Sequence, residues 1–414
     1  MGGAFTDPLV AQTAKPGLSP RTALSENLAL CLNLITATLG CGILSLPWAT
    51  AGASLISAIL LTLVILAVNG ATNMVLVYAA EKHHTFDLGA LLGCLPAQGK
   101  VAKAFCEMTI WLTVFMCLVG YLIVVADSSE LLLPELPRAF RVFMSAGVIL
   151  PLCFLDQKHL AFSSTLSIAA NIYVCVLLAT LCFSGWRKPS EDEAEQDFCL
   201  LGYGEGTVTM VSALMQAAVV QMCILPMYEE MVGRSPERFA VCLTFSFSFV
   251  ALLFATFSAV AYFVLGPTVS SNVLLDLPAG IFDNLARVAM AIAVIGVYPI
   301  LLSSMVAPIK HRNDEGSSRL AALGIVACSG AVASLTSNLG QVNVVSGAFQ
   351  VFVFVALCPG LVGLFLLTGS MRWNLCMVLL MIVGFMVSCA GIMYTDNFVD
   401  NLQARCMWVL PRMP

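Results

Sequence analysis

The feature that most constrains this chain is a run of roughly 20 apolar residues, repeated along most of its 414 residues and separated by short polar segments. Only 10% of the residues are charged and 59% are hydrophobic. A soluble globular chain carries about 25% charged residues, because its surface must face water. Lipid is the solvent that suits this composition. In a bilayer core no water pairs with the backbone, so a spanning segment is a helix or part of a closed barrel. Barrel strands would alternate apolar and polar over about 10 residues, and these runs do not. The expected fold class is an all-α polytopic membrane protein with about 11 transmembrane helices. They are placed near 27–50, 54–80, 105–127, 139–155, 161–184, 207–228, 239–265, 283–308, 319–337, 342–368 and 374–395. The 139–155 run is barely long enough, since crossing about 30 Å takes about 20 residues at 1.5 Å each.

Lys and Arg set the orientation, because cytosolic loops carry the excess. With the N-terminus in the cytosol, 12 of the 19 basic residues fall inside and 7 outside. The division expected is a cytosolic tail at 1–26, a transporter domain at 27–395 and a short tail at 396–414. The acidic stretch Glu191–Glu205 lies outside, between the fifth and sixth spans, and divides the chain into five spans before it and six after. That arrangement is compatible with two inverted repeats, 27–184 and 207–368, plus one extra helix at 374–395. The polar N-terminus, with Pro8, Pro16 and Pro20, has no short apolar core and does not read as a cleavable signal peptide. The 16 cysteines lie mostly inside apolar runs and read as small core residues, not as a disulfide framework; only Cys199 and Cys406 fall in loops or tails.

The first span holds GCGILSLPWA, Gly40 to Ala49. Two glycines around Cys41 and a proline at Pro47 weaken a helix near mid-membrane, since glycine costs about 1 kcal/mol and proline about 3 in a helix interior. Two readings follow. The freed N–H and C=O groups grip the carboxylate and ammonium of an amino acid, or the small residues form a packing face between helices.

The longer segment NLITATLGCGILSLPWATAGA, Asn33 to Ala53, resembles the first helix of the amino acid/auxin permease family, which includes the sodium-coupled neutral amino acid transporters. GYLIVVAD (Gly120–Asp127) is similar to the end of that family's third helix, and PLCFLDQKHLAFSSTLSI (Pro151–Ile168) to the entry of its fifth. ILPMYEEM (Ile224–Met231) resembles the end of the sixth, and NVLLDLP (Asn272–Pro278) the loop after the seventh. The five occur in the family's order. The resemblance implies a LeuT-like fold, five-plus-five inverted repeats with one extra helix, in which the first and sixth helices unwind around the substrate. It implies first-helix contacts at Thr38, Gly40, Cys41 and Gly42, and sixth-helix candidates at Gln216 and Gln221. A glutamine in a membrane helix also serves as interhelical glue, and that reading stays open for both. Tyr298, beside Pro299, either faces the pocket or packs. One departure stands out: between Thr207 and Leu225 there is no glycine or proline to break the sixth helix.

A second departure concerns the driving ion. In sodium-coupled relatives the eighth helix supplies a threonine hydroxyl; aligned on Pro299, those positions are Ile295 and Val297. A methyl group cannot replace an oxygen ligand. Asn33, Thr36, Ser303 and Ser304 still offer oxygens, but protons or uncoupled movement fit better than sodium. Ionisable groups for a proton route are few: Glu107, Asp127, Glu229 and Glu230 all sit at span ends, where solvation suffices, and Arg287 reads as an interfacial anchor.

No enzyme signature is present. His83 and His84 have no spaced partner for a metal, and no Walker-type loop, cofactor motif or basic run for nucleic acid occurs. The expected activity is secondary active symport of an amino acid, neutral because no buried charge is placed to pair a charged side chain. The partners are that small molecule and the bilayer, at the plasma membrane or a vacuolar or lysosomal one. An amino acid sensor with little transport is the alternative, and a passive pore a further one.

Overall fold

The computed structural model describes residues 20–96, 99–130, 134–154, 157–189, 197–312, 315–336, 338–394 and 405–410. The first apolar run folds as α1 (Pro20–Thr38), a 3-10 turn (Cys41–Ser45) and α2 (Leu46–Ala53). Then come α3 (Leu55–His83), the short α4 (Leu88–Gly93), α5 (Gly99–Ser128), α6 (Arg138–Leu152) and α7 (Gln157–Phe183). Strand β1 (Phe198–Tyr203) leads into α8 (Gly206–Ala218) and α9 (Gln221–Glu229), which share one span. The remaining helices are α10 (Pro236–Leu265), α11 (Ile281–Arg312), α12 (Glu315–Leu335), α13 (Leu339–Gln350), α14 (Cys358–Phe365) and α15 (Met371–Met393); strand β2 is Arg405–Leu410.

Among the described residues, 9 helical spans are long and apolar enough to cross a bilayer, or 10 with the bent pair Glu26–Thr38 and Gly42–Ala53, whose halves meet at 51°. The expected fourth span is the exception. Helix α6 has 15 residues between Pro137 at its N-cap and Pro151 near its end, so at about 1.5 Å per residue it covers about 22 Å and is shorter than the other spans. The expected tenth span begins earlier, at Leu339, and changes winding at a π segment, Val351–Leu357.

Large apolar side chains face outward along most spans, with Leu60, Val64, Phe245, Phe249, Ile382 and Val383 all exposed, as suits hydrocarbon surroundings. Inside, α1, α2, α3, α8, α9 and α10 pack on one another, while α5, α6, α7, α11 and α12 form a second group. Helix α13 lies between the two, against both α8 and α5. Backbones come close where glycine faces them. A Cβ on Gly206 would overlap the Gly52 carbonyl, and one on Gly347 would overlap the Ser212 carbonyl. In lipid, such close van der Waals packing replaces the hydrophobic drive that joins helices in water.

The outer loops depart from expectation. The segment before the sixth span and the segment after α15 were expected to be a loop and a tail, yet each contributes a strand, and β1 pairs antiparallel with β2. Residues Glu191, Glu193 and Glu195 of the acidic stretch lie outside the described ones. Cys199 and Cys406 are joined in a disulfide with 5.5 Å between Cα atoms, a span of 207 residues. The reading of the cysteines as core residues without bridges is corrected at this pair, because strand pairing brings two distant thiols within bridging reach.

The charges at this side are also better buried than a span-end position suggests. Asp127 accepts from Arg138 at 2.7 Å and from the Asn272 amide at 3.0 Å. Arg287 is 2% exposed and donates to the carbonyls of Leu274 (2.9 Å) and Leu277 (2.5 Å) and to Asn284 Oδ1 (2.8 Å). Arg287 is thus not an interfacial anchor; it supplies donors for the carbonyls of the turn at 273–278. Asp127 is paired and not solvated.

The glycine contacts predict stability directly. Gly206→Ala and Gly347→Ala should each destabilise the fold by about 1–3 kcal/mol through overpacking. Gly324→Ala, where a Cβ meets nothing within 4 Å, should leave it unchanged or raise it by up to about 1 kcal/mol. Thermal unfolding in detergent checks this; equal melting of all three would contradict the packing described.

Candidate substrate site

The site is built where two spans stop being helices. At the first, the Leu39 N–H still reaches Ile35 O (3.1 Å), but the Gly40 N–H reaches only Thr38 O, at 3.2 Å. Gly40 is extended, with φ −100° and ψ −173°, a conformation any residue adopts. A Cβ there would meet nothing within 4 Å, so what glycine leaves is open space beside bare backbone. Gly42 is different. A Cβ on it would lie 2.9 Å from Ala217 Cα, so glycine is required for the first break to touch the sixth span. The Ser45 hydroxyl donates to Gly42 O at 3.0 Å and accepts from the Asn343 amide at 2.8 Å, tying the turn to α13.

The sixth span breaks between α8 and α9 with neither glycine nor proline. Val219 leaves the helical region (φ −72°, ψ 122°) and Val220 follows at φ −128°, ψ 0°. The orphaned groups are met by side chains. The Asn69 amide, from α3, donates to Ala218 O at 2.9 Å, and Gln221 Oε1 accepts from the Val220 N–H at 3.2 Å. Gln221 then donates to Asn69 Oδ1, closing the set. Both amides are fully buried. The sixth helix thus breaks, as the resemblance implies, without the glycine or proline whose absence the sequence shows, and an asparagine on a neighbour meets one of the freed carbonyls.

A further uncharged cluster lies next to the contact between the breaks. Gln216 is half-buried; its amide meets Cys117 Sγ on α5 at 3.2 Å, and it accepts from Gln350 of α13 at 2.5 Å. Gln350 also donates to Ser346 at 3.1 Å. Three helices thus converge on Gln216, which neighbours the Ala217 that Gly42 touches.

Of the residues expected from the sequence, Gly40, Gly42, Gln216 and Gln221 come together here. Thr38 is buried beside them, its hydroxyl donating to Ile35 O at 2.7 Å. The Cys41 side chain lies outside the described ones. Tyr298 is fully buried and bonded to Ser329 at 2.8 Å, within the other helix group. Of the four residues expected for a cation, Thr36, Ser303 and Ser304 are seen in local contacts. Asn33 is exposed, and Thr36 donates to Leu32 O at 2.7 Å. Ser303 and Ser304 donate to Ile300 O and Leu301 O, both at 2.7 Å. Helix α1 packs mainly on α10, and α11 on α7 and α5. Glu229 and Glu230 are exposed, and Glu107 is exposed with Lys103 3.7 Å away. Among the described residues, no three His, Cys, Asp or Glu side chains are placed to hold a metal ion.

Sequence reasoning missed Asn69, Cys117, Asn343 and Gln350. One signal was available: Asn69 and Asn73 stand four apart in an otherwise apolar span, and buried amides in lipid serve neighbouring helices or a site.

Comparison with known proteins agrees with this geometry. The family profile described as "Transmembrane amino acid transporter protein" matches residues 25–396. Solute carrier family 38 member 8 of Homo sapiens is 25% identical over 309 residues, covering 70% of this chain and 69% of its own. The amino acid transporter AVT3C of Arabidopsis thaliana is 23% identical, covering 75% and 76%. Vacuolar amino acid transporter 7 of Saccharomyces cerevisiae is 23% identical, covering 67% and 58%. Among solved structures, MhsT in complex with L-phenylalanine superposes with a TM-score of 0.54 at 13% identity, covering 89% of this chain and 98% of its own. The Eremococcus coleocola manganese transporter reaches 0.52 at 12% identity, covering 93% and 90%. The fold is that of the LeuT-like transporters.

The amide set around the sixth break predicts a coupled loss. Asn69→Leu removes the partner of Ala218 O and should cost about 1–3 kcal/mol. Gln221→Leu should cost a similar amount, and the double variant clearly less than the sum. A double-mutant cycle on thermal unfolding reads this; strict additivity would show that the two amides do not act as one unit.

Proposed function

The chain belongs to the transmembrane amino acid transporter family, and from this premise we propose that it moves a neutral amino acid across its membrane by alternating access, driven by protons and not by sodium. It is a multi-pass membrane protein of a transporter family and not an enzyme. The observation that carries the proposal is the contact of two broken spans, Gly42 against Ala217, with open space at Gly40. Helix ends leave N–H and C=O groups without intrahelical partners. In lipid those groups bind something polar or destabilise the fold. A zwitterion carries one acceptor and one donor group and matches both kinds. Thr38, Gly40, Cys41 and Gly42 hold its main-chain groups in this reading, and Gln216 faces its side chain. Gln221 acts by holding the sixth break in shape, and Tyr298 by packing within the opposite helix group.

The choice of a neutral substrate rests on the side chains bonded around the breaks. Ser45, Asn69, Cys117, Gln216, Asn343 and Gln350 are all uncharged, and the ion pairs lie at span ends. A charged substrate side chain would be desolvated there without a counter-ion, which costs several kcal/mol. The choice of protons rests on Ile295 and Val297, which offer no oxygen where the resemblance implies a threonine hydroxyl. The segments 27–184 and 207–368, each opening on a broken span, serve as the two repeats, each contributing helices to both packing groups, with α15 as the extra helix. The disulfide supports reading β1 and β2 as outside the cytosol, since disulfides persist on the oxidising side of a membrane; with α6 counted as the fourth of five crossings before β1, this reading has the N-terminus in the cytosol. A plasma membrane and a vacuolar or lysosomal membrane both meet that condition.

Reconstituted protein should accumulate labelled alanine or glutamine under a pH gradient with choline replacing sodium. Uptake that collapses on that replacement sinks the proton reading, and lysine or arginine outcompeting alanine sinks the neutral one. Gly42→Val should lower uptake at least about tenfold, equivalent to about 1.4 kcal/mol. Full uptake by that variant would remove the contact between breaks from the mechanism.

A further inference from the structure

The strand pair β1–β2 sits on the outer ends of both broken spans, and its contacts have no place in the substrate site itself. Strand β1 runs straight into α8, the outer half of the sixth span. Its Gly202 N–H donates to the Ser54 hydroxyl at 3.0 Å, and Ser57 donates to Gly202 O at 3.2 Å. Ser54 is the single residue between α2, the outer half of the first span, and α3. It stands at φ 71°, ψ 154°, a region that residues other than glycine occupy at a cost of about 1–3 kcal/mol and only when the surroundings hold them there. At its other end, the Cys199 N–H donates to the Tyr262 hydroxyl of α10 at 2.9 Å, and the Phe198 ring meets Tyr262 and Phe263 edge-on at 5.6 and 5.3 Å. Strand β1 therefore bears on α2, α3, α8 and α10 together.

Strand β1 is further held by β2, which comes from the segment after the last spanning helix. Apart from the backbone ladder, the join is covalent, through Cys199 and Cys406. Two short strands alone are marginal in water. The bridge makes this pair persistent, because it closes a 207-residue separation whose opening would otherwise gain chain entropy. Cys199 is buried, whereas Cys406 lies on the exposed strand, so a solution reagent can reach the bridge from that side.

We propose that β2 is a latch on the outer gate: the Cys199–Cys406 bridge keeps β1 seated on Ser54 and Tyr262, and thereby restrains the outer halves α2 and α8 in the closed position. The gating part of this proposal rests on the transport reading above; the restraint itself does not. Released from the bridge, β1 loses its partner strand, the Ser54 bend loses the surroundings that hold it, and α2 and α8 open more readily on that side.

The test uses the folded full chain in proteoliposomes, so that failure to fold is not an issue. A charged, membrane-impermeant trialkylphosphine is added outside. It cleaves the S–S bond, the phosphorus taking an oxygen from water and the two sulfurs becoming thiols. Alkylation of Cys199 and Cys406, read by mass spectrometry, verifies cleavage. Amide hydrogen exchange is then followed over 46–57 and 206–215. Exchange there should rise at least about fivefold, the lower end of typical coupling between linked sites, while the opposite ends of α9 and α10 stay unchanged. Amino acid uptake should shift in the same preparation. The folded Cys406→Ser variant should show the raised exchange without reductant and no response to it. Unchanged exchange after verified cleavage overturns the latch whatever uptake does. Raised exchange with unaltered uptake overturns its gating role. Raised exchange in a protein that moves no amino acid with its bridge intact overturns the transport reading and leaves the restraint standing.

Discussion

Everything in this fold answers to one constraint: a backbone group that leaves its helix inside hydrocarbon has no water to turn to. An unpaired amide there costs several kcal/mol, so a break is tolerated only where something else supplies the bonds. The two breaks meet this demand by different means. The first relies on a 3-10 turn and on its own Ser45, with Asn343 behind it. The second borrows the Asn69 amide from α3 and turns Gln221 back on its own backbone. The second break thus has one carbonyl and one N–H met by side chains. The first retains open space at Gly40, which is where the proposed zwitterion has most to contribute.

Close packing then decides which pieces move as one. Gly206 fits against Gly52, Gly347 against Ser212, and Gly340 against the Trp48 ring. All three contacts join α2 and α8 to each other or to α13, and none involves α1 or α9. The eight residues of α2 are all buried, whereas α1 presents Leu28, Leu32 and Asn33 to the surroundings. Because tightly packed interfaces shift between discrete arrangements and do not deform smoothly, the outer halves behave as one block. The inner halves, α1 above all, have the looser attachment.

The helices were legible because lipid imposes a length and a composition on every span, and the run boundaries needed no tertiary information. The first break was legible because glycine at Gly40 and Gly42 writes it into its own span. The sixth was not, since the amide that meets its freed carbonyl, Asn69, stands 149 positions away. The same holds for the charges. Asp127 and Arg287 occupy span ends, where solvation is the default, and only the folding of 272–278 over them turns one into a paired carboxylate and the other into a donor for three backbone carbonyls. Cys199 and Cys406 stood out as the two cysteines outside the apolar runs, but their bridge was illegible because nothing in the sequence shows that the segments carrying them, 207 residues apart, pair as strands.

These interactions are unevenly divided between the two faces of the membrane. The side carrying β1 has a buried carboxylate paired with Arg138, a second ion pair between Lys188 and Asp276 at 2.6 Å, the disulfide and the Gly52–Gly206 contact. On the opposite side, Arg234 lies 3.1 Å from Glu81 with both side chains about 30% exposed, beside the Phe86 ring at 4.2 Å. Exposed pairs of that kind are worth about 0–1 kcal/mol and weaken with salt, whereas breaking a buried pair costs about 3–5 kcal/mol. The restraints therefore favour closure on the β1 side, and the opposite face is the easier one to open. Exchange across such a protein requires the tighter face to open as well. In the proposed transport cycle the free energy for that step comes from binding at the breaks or from a gradient.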